Sequence, residues 1–182
     1  MALETEGNFG VVERGEWSYA EAVGVGPLRF GMAVDEVVEA AEVLGSAKVS
    51  DCRRQHAVFS QTWKVEIHRV GAPSAPAVTA YVSQDAGLFG VACDAVRGPQ
   101  VAYHGLLLVG REMGELESDM ITYAEAHDVQ FRYTCEGHAG PDDPGIVMRA
   151  QPVGEVLRSR PLFMVPRDGA WTEWDSLPSE ED

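Results

Sequence analysis

The chain has 182 residues, of which 45% are hydrophobic and 24% charged, the make-up of a globular protein that buries a core without help from a metal or a disulfide. Its 29 Asp and Glu against 14 Lys and Arg give a formal charge of -15. That field repels a nucleic-acid backbone and attracts a basic partner or a cation, besides keeping the protein dispersed, so direct DNA or RNA binding is the first class to fall away.

No apolar run approaches the length of a membrane span, so no membrane association is expected. Met1-Ala2-Leu3-Glu4-Thr5-Glu6-Gly7 has neither the basic nor the apolar stretch of a secretory signal. Cys52, Cys93 and Cys135 form no close pair, and an odd count favours reduced thiols. A cytoplasmic protein is the expectation. Lys48 and Lys64 are the only lysines, and the preference for Arg over Lys and for Val over Ile fits a GC-rich genome.

Residues 1 to 25 are polar and glycine-rich, with Trp17 and Tyr19 as anchors, and read as an arm or a short edge strand. Gly24-Val25-Gly26-Pro27 is a turn. Residues 33 to 44 read as a helix, because Val34, Val37, Val38, Ala41 and Leu44 form one apolar stripe. Asp35, Glu36, Glu39 and Glu42 take its other face, and Gly45 ends it. The period then changes to two. Trp63, Val65 and Ile67 alternate with Lys64, Glu66 and His68 along a half-buried antiparallel strand. Strands follow at Val78 to Ser83 and Leu88 to Ala95. Val101 to Val109 reads as a strand, Glu112 to His127 as a second helix, and Val129 to Cys135 as an alternating strand. Gly137 to Gly145 is a loop, and Ile146 to Gln151 and Pro161 to Pro166 close the fold as strands. Trp171 and Trp174 stand in an acidic tail.

Residues 26 to 45 reappear in altered form 79 positions later: Gly26 pairs with Gly105, Gly31 with Gly110, Val37 with Leu116 and Ala41 with Met120. A shared apolar register at one offset marks a duplicated unit. The fold class predicted is α+β, two tandem helix-on-antiparallel-sheet units forming one compact domain. Residues 1–25 are then an N-terminal arm, 26–97 the first unit, 98–167 the second and 168–182 the acidic tail.

Gly26-Pro27-Leu28-Arg29-Phe30-Gly31-Met32, with a helix behind it and Val37 five residues past Met32, resembles the opening of BamE/SmpA-type proteins and of tandem-repeat β-lactamase inhibitor proteins. Those proteins cap the helix with Thr or Ser where this chain has Ala33, and the second copy here has Arg111 in place of methionine. The whole chain also resembles uncharacterised proteins of actinobacteria. The resemblance implies a duplicated fold whose open sheet face binds another protein, and it supplies no catalytic residues.

Chemistry-bearing residues are sparse. Cys135 and His138 have the spacing of half a zinc site, with Asp142 and Asp143 close behind and His104 as a more distant ligand. The same group could form a nucleophile pair with an acidic orienter. Against both, Cys135 aligns with the apolar positions Phe131 and Tyr133. Glu66 and His68 share the polar face of one strand, where they either do acid-base work or are simply solvated. Trp63, Tyr81, Phe89, Trp171 and Trp174 are candidate binding aromatics. Trp63 and Phe89 read better as core, and the two tail tryptophans either anchor a partner or dock back onto the chain's own sheet. No phosphate-cradling loop is present and no cofactor is implied. The function expected is a non-enzymatic protein-binding module, of immunity or inhibitor type, acting on a basic partner. The alternatives are a small enzyme or metal/ligand-binding protein with a Cys/His/acid pocket, and a homo-oligomer scaffold.

Overall fold

The computed structural model describes residues 14–52, 61–72, 74–133, 137, 139–141 and 145–165. Strands β1 (Glu16–Ala20), β2 (Gly24–Val25) and β3 (Leu28–Arg29) lead into helix α1 (Val34–Ala41). Strands β4 (Gly45–Asp51), β5 (Thr62–Arg69), β6 (Val78–Ser83) and β7 (Gly87–Cys93) follow. A hairpin of β8 (Gln100–Tyr103) and β9 (Leu106–Leu107) then leads into α2 (Met113–His127). The chain closes with β10 (Phe131–Tyr133), β11 (Ala139–Pro141), β12 (Ile146–Val153) and β13 (Val156–Met164).

These strands make two sheets. The larger, in the order β10-β11-β12-β13-β7-β6-β5-β4, is antiparallel throughout. Its halves join where Leu162 pairs with Ala92 and Met164 with Gly90. The smaller runs β3-β2-β1-β8-β9, with β1 parallel to β8, so the N-terminal strand clamps the second half of the chain.

The larger sheet has two unlike faces, because successive side chains point to opposite sides. Val65, Ile67, Val78, Ala80, Val91, Ile146, Met148 and Phe163 are buried on the inner face. The same cluster takes in Val37 and Ala41 of α1, Leu116 and Met120 of α2, and Val25, Val101 and Tyr103 of the smaller sheet. On the outer face Tyr81, Phe89, Ala92, Val147, Leu162 and Met164 form a second cluster. A register shift between Tyr81 and Val82 inserts Phe89 as an extra residue, which turns its ring onto that outer face beside Tyr81.

Local signals set the helix ends. The Ala33 side chain cannot cap α1, but the Glu36 carboxylate accepts the Ala33 N–H at 2.8 Å, half of a capping box. In α2 the Glu112 side chain accepts the Glu115 N–H at 3.0 Å, and Asp128 stops the helix in a left-handed conformation. Among the described residues no helix is long and apolar enough to cross a membrane.

The α+β expectation is corrected. The chain is mainly β, with thirteen strands in two sheets and two helices of 8 and 15 residues among the described residues. The physical reason is that the helices do not each cover a sheet of their own. Both insert into one continuous cluster, and part of the cover over the inner face is the second sheet. Positions paired at the 79-residue offset share some local conformation, since Gly26 and Gly105 both have positive φ and α1 and α2 start at Val34 and Met113. What surrounds them differs: Leu28 is fully buried, whereas its counterpart Leu107 is 46% exposed.

Several strands escape the sequence patterns. Val101 to Val109 is not one strand but a hairpin turning at His104 and Gly105. β4 follows α1 directly, and β2 and β3 form a hairpin where a turn alone is expected.

Candidate binding cleft and edge strand

β4 begins at Gly45, where only glycine fits: φ is +155°, and a Cβ there would lie 2.1 Å from the His68 carbonyl oxygen. From that point, among the described residues, the strand pairs with β5 alone and forms an edge of the larger sheet. Its hydrogen-bonding phase follows from its two ends. Val70 N–H donates to Leu44 O at 3.3 Å, and Cys52 N–H donates to Thr62 O at 3.0 Å. Hydrogen-bonded pairs alternate along an antiparallel ladder, so even-numbered residues of β4 turn their backbone groups to β5. Gly45, Ala47, Val49 and Asp51 therefore present their N–H and C=O groups outward, and no described strand takes them.

Beside this edge lies an open cleft of about 610 Å³. Val34 at the start of α1, Val49 of β4, Trp63 of β5 and the turn from Ser83 to Gly87 line it. Val49 is 43% exposed and Trp63 half-buried, so the floor is apolar and reachable. Exposed acids adjoin the lining in sequence, Asp35 and Glu36 after Val34 and Asp51 beyond Val49, and Asp85 lies in the lining turn itself. A smaller cleft of about 310 Å³ lies on the other sheet, between Trp17, Gln100 and Leu107.

Trp63, expected in the core, thus lines the larger cleft, and the other residues singled out from sequence lie elsewhere. Glu66, His68 and Tyr81 are on the outer face of the larger sheet, on β5 and β6. Tyr81 is buried, 2% exposed, with its ring centroid 6.4 Å from that of Phe89. Glu66 is held between Lys64 at 3.7 Å and Lys48 at 3.9 Å. His68 Nδ1 is buried and has no hydrogen-bond partner among the described residues. Trp171, Trp174, Cys135, His138 and Asp142 lie outside the described residues. Among the described residues no group of three or more His, Cys, Asp or Glu is placed to hold a metal ion.

Sequence reasoning does not find a titratable cluster that gathers at the C-terminal end of α2. Tyr123 stacks with His127, with centroids 4.2 Å apart, and with His104, with centroids 5.6 Å apart. The Tyr123 hydroxyl donates to the Tyr103 hydroxyl at 3.3 Å, and Tyr103 in turn donates to the Glu21 carboxylate. Burial holds the Tyr103 phenol well above its ordinary pKa, and the bond to Glu21 adds to the effect. Burial also raises Tyr19, whose ring lies 5.7 Å from Tyr103. The His104 side chain is 58% exposed and that of Glu21 45%, so the column faces solvent. Only the four-residue spacing of Tyr123 and His127 on one helix face is visible beforehand. Glu21, Tyr103 and His104 arrive through the β1–β8 pairing.

No family model, no curated protein and no solved structure matches the chain.

Proposed function

We propose that the protein is a non-enzymatic protein-binding module that takes an extended, basic segment of its partner along the β4 edge. The observation that carries the reading is the row of outward backbone groups at Gly45, Ala47, Val49 and Asp51, next to an apolar cleft floored by Val49 and Trp63. Main-chain pairing at a sheet edge supplies affinity that is blind to sequence, and an adjacent pocket for one side chain supplies selectivity. Asp35, Glu36, Asp51 and Asp85 favour a basic partner and speed encounter with it, as the overall charge of -15 does at longer range. An immunity-type or inhibitor-type role, in which this chain covers a basic protein, is consistent with that arrangement.

The test is capture of partners by the full chain from its native lysate, identification by mass spectrometry, and a binding titration of the stoichiometric one. Val49→Pro removes an outward N–H without breaking a bond to β5, as proline does when tolerated on an edge. It should weaken binding by about tenfold or more, as should Trp63→Ala, with circular dichroism unchanged. A partner whose affinity is indifferent to both substitutions would overturn the reading.

A further inference from the structure

The outer face of the larger sheet goes unused in this reading. In a chain of net charge -15 it concentrates cations. Arg149 of β12 and Arg160 of β13 are directly paired across the ladder, and Arg149 is only 3% exposed. Lys48 and Lys64 lie on the same face, against Glu66. Between them runs an apolar floor of Tyr81, Phe89, Val147 and Leu162, each 2% exposed or less. Among the described residues, that cluster draws none from either helix or from the smaller sheet. A sheet face becomes this dry only under a cover.

We infer that this face is the docking site of the chain's own C-terminal segment, residues 166–182. Three observations select that occupant. The first is charge: the segment holds Asp168, Glu173, Asp175, Glu180, Glu181 and Asp182 against a single Arg167, which complements the cationic face. Second, it carries Trp171 and Trp174, flat apolar side chains suited to the floor around Tyr81. The third is where it starts. β13 ends on this face at Met164, and Val165 N–H donates to Phe89 O at 3.1 Å. Met164, Gly90, Tyr81 and Lys64 form one row across four strands. Lys64 is thus three strand spacings, about 14 Å, from Met164. Asp168 can reach about 13 Å from Met164 in an extended chain, and later acids can reach farther. The inference goes beyond the β4 reading and does not depend on it.

Zero-length carbodiimide coupling of the full chain tests this, because Lys48 and Lys64 are the only side-chain amines and both lie on the face. Mixing isotope-labelled with unlabelled chains separates bonds within a chain from bonds between chains. Lys64 should couple, within one chain, to a carboxylate of 168–182. The joint substitution Trp171→Ala and Trp174→Ala should lower that yield about fivefold while leaving the Lys64–Glu66 product unchanged. Coupling of Lys64 only to Glu66, to Glu4, Glu6 or Glu13 of the N-terminal segment, or to a second chain overturns the inference. So does a yield insensitive to both tryptophans.

Discussion

The Ser159 hydroxyl donates to the Leu108 carbonyl at 2.7 Å and accepts the Arg111 N–H at 2.9 Å. Ser159 is fully buried on β13, and its own N–H and C=O bond Arg111 O and Gly110 N. One small polar side chain thus fastens the segment entering α2 to the centre of the larger sheet. Both groups it satisfies come from residues that follow β9, so it also ties the hairpin of the smaller sheet to the larger one.

Ser159→Ala leaves the buried Leu108 carbonyl and the Arg111 amide short of a partner. The expected loss is about 1–3 kcal/mol, read as a lower denaturant midpoint with an unchanged slope. A change within a few tenths of a kcal/mol would mean that the bridge is dispensable.

Gly31 and Gly87 separate two kinds of glycine requirement. Both have positive φ, +88° and +67°. A Cβ on Gly31 meets nothing within 4 Å, whereas one on Gly87 would lie 2.3 Å from Gly31 O. Leu88 exchanges backbone bonds with this segment, N–H to Met32 O at 2.7 Å and C=O from Gly31 N at 2.9 Å, and the contact walls the cleft. Gly31→Ala should cost about 1 kcal/mol through backbone strain alone, and Gly87→Ala more than about 2 kcal/mol. Equal costs in unfolding titrations would contradict the difference in packing.

Leu116 of α2 is fully buried in the cluster that also contains Val65 and Ile67 of the first half. Leu116→Ala should destabilise by about 2–5 kcal/mol. Because the core is shared, the far- and near-ultraviolet dichroism of the variant should melt together in one transition. Two separated transitions would show that the halves possess cores of their own.

Alkaline pH should weaken the fold. Burial raises Tyr19 and Tyr103 above the ordinary phenol value of 10.0, and it raises the Cys93 thiol from 9.0 to about 12. A group whose folded pKa is raised contributes its full stability below the unfolded pKa and loses it as pH climbs toward the folded value. The decline therefore begins near pH 9 with Cys93 and steepens above pH 10 with the phenols. The denaturant midpoint should be lower at about pH 11 than at about pH 8. In a spectrophotometric titration Tyr19 and Tyr103 should ionise only with unfolding, and a folded protein in which all five tyrosines titrate near the ordinary value would refute this.

How much of the fold is legible in the residues depends on how local the signal is. β6 is readable to the residue at Val78 to Ser83, and α2 to within one residue of Glu112 to His127. In both, the period of apolar side chains is a property of neighbours in the chain. β4 is not legible. Gly-Ser-Ala-Lys-Val-Ser-Asp has no apolar run, and it becomes a strand only because β5 supplies its partner. The candidate cleft is equally hidden, since Val34, Val49, Trp63 and Asp85 converge from four elements.

By itself the sequence determined the periodic elements, the acidic balance and the glycine turns, because each arises from the conformational and charge preferences of a few adjacent residues. Tertiary structure alone decided the class, the exposed edge and the two unlike sheet faces. Those depend on β7 meeting β13 and β1 meeting β8, pairings across some 70 to 85 positions. Hydrogen bonds between backbones are the same for every residue, so no local pattern names the partner strand; it is settled by which arrangement buries Val65, Leu116 and Phe163 together.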